Sequence, residues 1–271
     1  MTDSASYRLG VIGTGVMGRA LLNAAIRGGV VAASEVIASD ISPGCRRQAE
    51  QMGCFATDDN HQVVVGTQNL LVAVKPQVIR EVLTELREDF HQGQLLISIA
   101  AGVSLQTLRE AAGPAPNLVR VMPNICCTVG EAACAWAPDD AATEEQLQFV
   151  EELLSAAGET VRVEERLLDA VTGLSGSGPA FVAVFIEALA DGGVRAGLPR
   201  EQAQRLAAQT ALGAARWILD TDESPVALKD RVCSPGGTTI AGVAALESRA
   251  FRAAAIEAVV AAAERAKELG G

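Results

Sequence analysis

Short apolar runs alternate with helix-periodic stretches through the first 165 residues, and beyond that point only the helical period continues. Residues 8–13 (RLGVIG) read as a short buried strand, and 17–27 as the helix that follows. Residues 36–39 and 45–52 repeat the pair. Apolar runs at 69–74, 95–99 and 117–122 predict three more strands, with helices at 78–88 and 105–111 between them. Strands this short, separated by helices, favour right-handed βαβ units and a parallel, doubly wound α/β sheet. A strand at 132–137, a helix at 144–157 and a short strand at 159–163 close this half.

After Glu165 the strand signals stop. Residues 168–196 form one long apolar stretch with a glycine cluster in its first half. Residues 200–219 carry apolar side chains at Ala203, Leu206, Ala207, Ala211 and Ala214, a helical repeat, and 251–269 do the same. Ser224-Pro225 and Ser234-Pro235 both read as helix starts, with Ser as cap and Pro in the first turn. Two domains are expected, 1–165 and an all-helical 166–271. The helical half has more apolar surface than it can bury alone, which predicts pairing with a second copy.

Composition narrows the partners. The net charge of −11 disfavours nucleic acid and anionic membrane surfaces, so an anionic substrate has to be captured by local donors. Six cysteines show no C-x-x-C pair, and the two histidines, His61 and His91, do not interleave with them. No metal site and no Cys/His nucleophile pair is expected. The first seven residues lack the features of a secretion signal, and no uninterrupted, charge-free apolar span stands out. A cytoplasmic protein with no membrane partner is expected.

Two glycine-rich loops carry the candidate chemistry. Gly13-Thr14-Gly15-Val16-Met17-Gly18 follows the first predicted strand and opens the first helix, the context of a dinucleotide-binding fingerprint. Gly13 permits the turn, Gly15 lets a pyrophosphate approach the backbone, and Gly18 lets helix and strand pack closely. The sheet is then of Rossmann type. Asp40 ends the second strand, where an acidic residue accepts ribose hydroxyls and favours NAD; nearby Ser39, Ser42, Arg46 and Arg47 could instead accommodate the 2′-phosphate of NADP. The choice stays open. Lys75, in Ala73-Val74-Lys75-Pro76, ends a strand and either points into the ligand crevice or faces solvent. Asn60 either caps a short helix or lies near the adenosine. The small residues of 98–102 (SIAAG) either line a nicotinamide pocket or form a plain strand exit. Near the other end, Ser234-Pro235-Gly236-Gly237-Thr238-Thr239 packs three hydroxyls and two bare backbone positions into one loop, which suits a small anion.

With Thr172-Gly173-Leu174-Ser175-Gly176-Ser177-Gly178-Pro179-Ala180 and Val121-Met122-Pro123-Asn124, these segments resemble the pyrroline-5-carboxylate reductase family, in order and at similar spacing, from about residue 8 to 269. The resemblance implies a Rossmann domain followed by an all-α dimerisation domain, often assembled into a larger ring such as a decamer. It implies reduction of the C=N bond of 1-pyrroline-5-carboxylate by NADH or NADPH, giving L-proline. Cofactor contacts would fall on Ile12, Gly13, Thr14, Gly15, Val16, Met17, Gly18, Asp40, Asn60, Ala73, Val74, Lys75, Pro76, Ile99, Ala100 and Ala101. Substrate contacts would fall on Ser234, Gly237, Thr238 and Thr239, with Glu165 and Arg231 matching further substrate-side positions. Many members have a small polar residue where this chain has Asp40.

The implied chemistry is compatible with a chain this poor in histidine. A protonated imine carries its own proton, so no strong acid is needed, and Thr239 is the candidate partner for the nitrogen. The Thr172–Ala180 motif would serve either the site or close helix crossing at the dimer core. A β-hydroxyacid or opine-type dehydrogenase is the alternative enzyme, though only Lys229 and Lys267 could supply its acid–base lysine from the helical half. A non-catalytic dinucleotide sensor is the alternative outside enzymes. Cys126, Cys127 and Cys233 have no assigned role.

Overall fold

The computed structural model describes residues 7–270. The chain opens with β1 (Tyr7–Ile12), α1 (Val16–Arg27), β2 (Val36–Ser39) and α2 (Pro43–Gln51). Next come β3 (Phe55–Thr57), α3 (Asn60–Val65), β4 (Thr67–Val72) and α4 (Pro76–Glu85). β5 (Leu95–Ser98), α5 (Leu105–Ala112) and β6 (Asn117–Met122) follow. A 3-10 turn at Ile125–Val129 leads to β7 (Ala132–Pro138), α6 (Glu144–Ser155) and β8 (Gly158–Arg162). β3 escaped the hydrophobic pattern because it is only three residues long and exposes Phe55.

The eight strands form one sheet in the order β3-β2-β1-β4-β5-β6-β7-β8. The first six are parallel, as the alternation predicts, whereas β7 runs antiparallel to β6 and β8 parallel to β7. The β6–β7 connection holds a single 3-10 turn, too short to cross back over the sheet, so the chain can only return antiparallel.

Alternate residues of the central strands feed two apolar layers. Leu9, Val11, Leu71 and Ile97 pack with Leu21, Leu22, Val150 and Leu153 of α1 and α6 on one face. Ile12, Leu70, Val72 and Leu96 pack with Val63, Ile79, Leu83 and Leu108 of α3, α4 and α5 on the other. Burial on both faces is why these strands read as continuous apolar runs rather than alternating ones.

From Glu165 to the last described residue no strand occurs. A 3-10 turn (Glu165–Leu167), α7 (Leu168–Val171) and a π-turn (Thr172–Gly176) lead into α8 (Gly178–Arg195). Then come α9 (Arg200–Thr221), α10 (Pro225–Val232), α11 (Thr238–Glu247) and α12 (Phe251–Gly270). Packing divides the chain into two compact units, one ending at Ser177 and taking back the chain from Ala261, the other spanning Gly178–Val260. That break falls beyond the change of pattern at 165 because Leu168 and Val171 pack on Ala135 and Ala137 of β7.

Ser224 caps α10, its hydroxyl accepting from the Ala227 N–H at 3.3 Å. The second expected helix start is corrected: Ser234-Pro235 lies in a turn, and α11 begins at Thr238 with Gly237 as its N-cap. Gly236, at φ +66°, reverses the chain there, so the helix cannot start earlier. The continuous helical run Glu165–Arg195 is long and apolar enough, by length and composition, to cross a membrane.

Candidate functional site

The sheet order reverses between β1 and β4, the switch point at which open α/β sheets bind ligands outside the carboxyl ends of their strands. The Gly13 N–H donates to the Ser39 carbonyl at 2.8 Å and the Ala73 N–H to the Ile12 carbonyl at 2.8 Å, pulling three strand ends together. Each motif glycine is needed for its own reason. Gly13 sits at φ +93°, and a Cβ there would lie 2.8 Å from the Ala73 carbonyl oxygen. At Gly18 a Cβ would stand 2.1 Å from the Gly13 carbonyl oxygen. Above Gly15 nothing lies within 4 Å. The result is a bare cradle before the N-terminus of α1, whose N-cap Gly15 supplies no side-chain bond. It fits a pyrophosphate, which unpaired helix N–H groups attract.

Around the cradle stand the other residues expected at the cofactor. The Asp40 carboxylate accepts the Thr14 N–H at 2.8 Å and the Ser42 N–H at 2.8 Å. The fully buried Ser39 hydroxyl donates to Asn60 Oδ1 at 2.6 Å, which holds the first turn of α3 at the end of β2. Asn60 is therefore not the helix cap. Asp59 takes that role, accepting the His61 N–H at 2.9 Å. Lys75 is exposed at the N-cap position of α4, immediately after Ala73 and Val74, with Pro76 in the first turn. The Ile99 N–H reaches the Val72 carbonyl at 3.2 Å, so Ile99, Ala100 and Ala101 leave β5 beside β4. At Gly102, φ +77°, the chain turns directly against Gly270 at the end of α12.

Glu165 is built into a polar cluster that sequence reasoning missed. Arg120 of β6, buried, places Nη1 3.3 Å from Glu165 and Nη2 3.4 Å from Asp169. Glu165 also accepts the Leu105 N–H at 2.6 Å, anchoring the start of α5. The signal was present: an arginine inside the apolar run NLVRVM has to find anionic partners once the strand is buried. The Thr172–Ala180 motif packs tightly at its first half. A Cβ at Gly176 would meet the Met122 methyl at 2.5 Å, and Asn124 Nδ2 donates to the Ser175 carbonyl at 3.0 Å. One of the unassigned thiols, Cys127, interacts with a further cysteine, Cys134. Both are buried, and their mutual interaction lowers the Cys127 pKa while it and burial raise that of Cys134.

In the second unit the hydroxyl loop joins α10 to α11. The Gly237 N–H closes on the Ser234 carbonyl at 3.0 Å, and the first helical bond runs from the Ala241 N–H to the Gly237 carbonyl at 3.3 Å. The N–H groups of Thr238, Thr239 and Ile240 make no hydrogen bond among the described residues. Ser234 is exposed and Thr239 half-buried. A Cβ at Gly237 would stand 2.2 Å from Ser234 Oγ, so only glycine leaves that hydroxyl in place. Arg231 is held by Glu223, at 2.6 and 2.9 Å from its two carboxylate oxygens, and lies 5.5 Å over the Trp217 ring.

Comparison with known proteins matches both halves. Residues 165–269 match the family model described as pyrroline-5-carboxylate reductase dimerisation, and residues 8–102 match that described as NADP oxidoreductase coenzyme F420-dependent. A pyrroline-5-carboxylate reductase of Methanosarcina acetivorans is 47% identical over 266 residues, covering 98% of each chain. The solved reductase of Coxiella burnetii superposes with a TM-score of 0.94 at 33% identity, over 98% of this chain and 99% of that one. That of Plasmodium falciparum, solved with NADP bound, gives 0.87 at 30% identity, over 99% and 100%.

Proposed function

The chain belongs to the pyrroline-5-carboxylate reductase family, and from that premise we propose that it reduces the C=N bond of 1-pyrroline-5-carboxylate to give L-proline. The observation that carries the reading is the glycine cradle at the switch point, where Gly13, Gly15 and Gly18 leave the backbone bare. A reduced nicotinamide dinucleotide bound there supplies the hydride. The chain's own residues then have to hold the substrate. The free N–H groups of Thr238 and Thr239 at the start of α11, with the Ser234 hydroxyl, suit its carboxylate. The Thr239 hydroxyl is the partner for the ring nitrogen. A substrate held as the iminium already carries the proton that the amine product keeps, so alignment does most of the work. Glu165 and Arg231 act through others in this reading, since Arg120 and Glu223 already engage them.

We further propose a homodimer formed through residues 166–271. The second unit buries little more than Ala190, Ala203 and Ala207 and exposes Val182, Val184, Leu212, Leu219 and Ile256. A surface of this kind is what a second copy covers. Dimers assembled into a larger ring such as a decamer are compatible with it. The six free thiols support a reducing, cytoplasmic setting.

Absorbance of NADH and NADPH in the presence of 1-pyrroline-5-carboxylate tests the activity. Both signals are expected to respond. Consumption of neither, with dinucleotide binding intact, would falsify the reductase reading and favour a sensor. Sedimentation tests the assembly, and a monomer at micromolar concentration would overturn the dimer.

A further inference from the structure

We propose that Asp40 makes this enzyme select the dinucleotide without a 2′-phosphate, by filling with its own carboxylate the donors that a 2′-phosphate would need. The inference rests on the reductase reading of the cradle. One Asp40 oxygen accepts the Thr14 N–H at 2.8 Å, with the Thr14 hydroxyl at 3.4 Å, and the other accepts the Ser42 N–H at 2.8 Å. These donors belong to the glycine loop and to the start of α2. The N-cap of α2, Ser42, offers no side-chain bond, so the positive end of that helix is left to the carboxylate.

Arg46, one of the two arginines that could have met a 2′-phosphate, is committed as well. Arg46 Nη1 donates to the Asp40 carbonyl at 2.8 Å and the Ile41 carbonyl at 3.2 Å, and Nη2 lies 3.7 Å from Asp58. A phosphate arriving here would meet a fixed negative charge, occupied N–H groups and an engaged Arg46, leaving Arg47 alone to set against them. Ribose hydroxyls meet none of these obstacles. They are donors: Oδ1 keeps a lone pair after accepting the Ser42 N–H, and at Oδ2 a ribose hydroxyl need displace only the long 3.4 Å contact of the Thr14 hydroxyl. The Plasmodium relative was solved with NADP bound, so family membership does not settle the choice. In this chain the residue after Ser39 does.

Occupancy and charge make different predictions for two variants. Asp40→Ser removes both the charge and the plug, so the Thr14 and Ser42 N–H groups and the helix end become free for a phosphate. Asp40→Asn removes the charge, but its amide still fills the space and takes one N–H. Equilibrium binding by calorimetry, with NADH, NADPH, adenosine 5′-monophosphate and adenosine 2′,5′-bisphosphate as probes, reads this without turnover. Wild type is expected to bind NADH at least 10-fold more tightly than NADPH, and the monophosphate more tightly than the bisphosphate (about 1.4 kcal/mol or more). Asp40→Ser is expected to shift the NADPH-to-NADH ratio about 100-fold, and Asp40→Asn about 10-fold. Equal binding of both dinucleotides by wild type overturns the proposal alone. Equal shifts in the two variants overturn occupancy as the cause. Binding of neither dinucleotide removes the reductase reading and the proposal together.

Discussion

Replacing Gly15 or Gly18 by alanine adds the same methyl group to the same loop, yet the two variants should fail in different ways. At Gly18 the new Cβ would stand 2.1 Å from the Gly13 carbonyl oxygen and 2.9 Å from the Ala73 Cβ, below the 3.0 Å that real contacts respect. The close neighbour is backbone, so α1 must recede by about 1 Å, and overpacking of this kind costs about 3 kcal/mol. Alanine's better helix propensity returns about 1 kcal/mol, leaving a net loss of about 2 kcal/mol. In a chain of this size that is a melting shift of about 4–8 °C. Displaced N–H groups at the start of α1 should also weaken dinucleotide binding, about 100-fold for an error of that size.

Gly15 is different. Nothing lies within 4 Å of its added Cβ, and its φ of −63° suits any residue. Stability should move by less than about 1 kcal/mol, a weaker N-cap being offset by a stiffer unfolded chain. The methyl stands where a pyrophosphate would meet the backbone, so affinity should still fall about 100-fold. Thermal melts and NADH titration of both variants separate the cases. If Gly15→Ala binds NADH like wild type, the cradle is not the dinucleotide site. If Gly18→Ala melts with wild type, the packing argument is wrong.

Thr239→Ala should lower kcat about 100-fold with little change in KM, whereas Ser234→Ala should raise KM about 10-fold; unchanged kinetics in both would remove the loop from the site. Arg120→Ala should cost about 2–3 kcal/mol in urea unfolding, below the usual figure for a buried pair because Glu165 and Asp169 are 33% and 24% exposed; an unaltered midpoint would show the cluster to be inert. His61 titrates above its ordinary 6.5, chiefly through its hydrogen bond to Asp89, with Glu85 and Asp59 adding to the rise. Its contribution to stability is therefore fully present below pH 6.5 and fades as pH rises through the raised value. His61→Gln should abolish that part of the pH dependence, and parallel melts from pH 5.5 to 8.5 that keep the wild-type profile would refute it.

The elements legible in the sequence are those whose signal is local. β2 and β6 lie where the apolar runs put them, at Val36–Ser39 and Asn117–Met122, because strands buried on both faces need unbroken apolar side chains. The Gly13–Gly18 fingerprint was legible for the same reason: a positive φ and a close helix approach each demand glycine at one fixed spacing. The start of α11 was misread because Ser-Pro is an ambiguous local signal, and the left-handed Gly236 that settles it exerts its effect two residues later. Arg120 was passed over because its partners lie 45 and 49 residues away.

The sequence by itself determined the α/β half, the helical half and the two glycine-rich loops. Only the tertiary structure decided what the polar side chains do. It gave Asp40 to Thr14 and Ser42, Glu165 to Arg120 and the start of α5, and Arg231 to Glu223 and Trp217. Backbone period and glycine placement follow from interactions within a few residues. A buried charge takes whichever partner the fold brings within about 3 Å, and no local pattern names that partner.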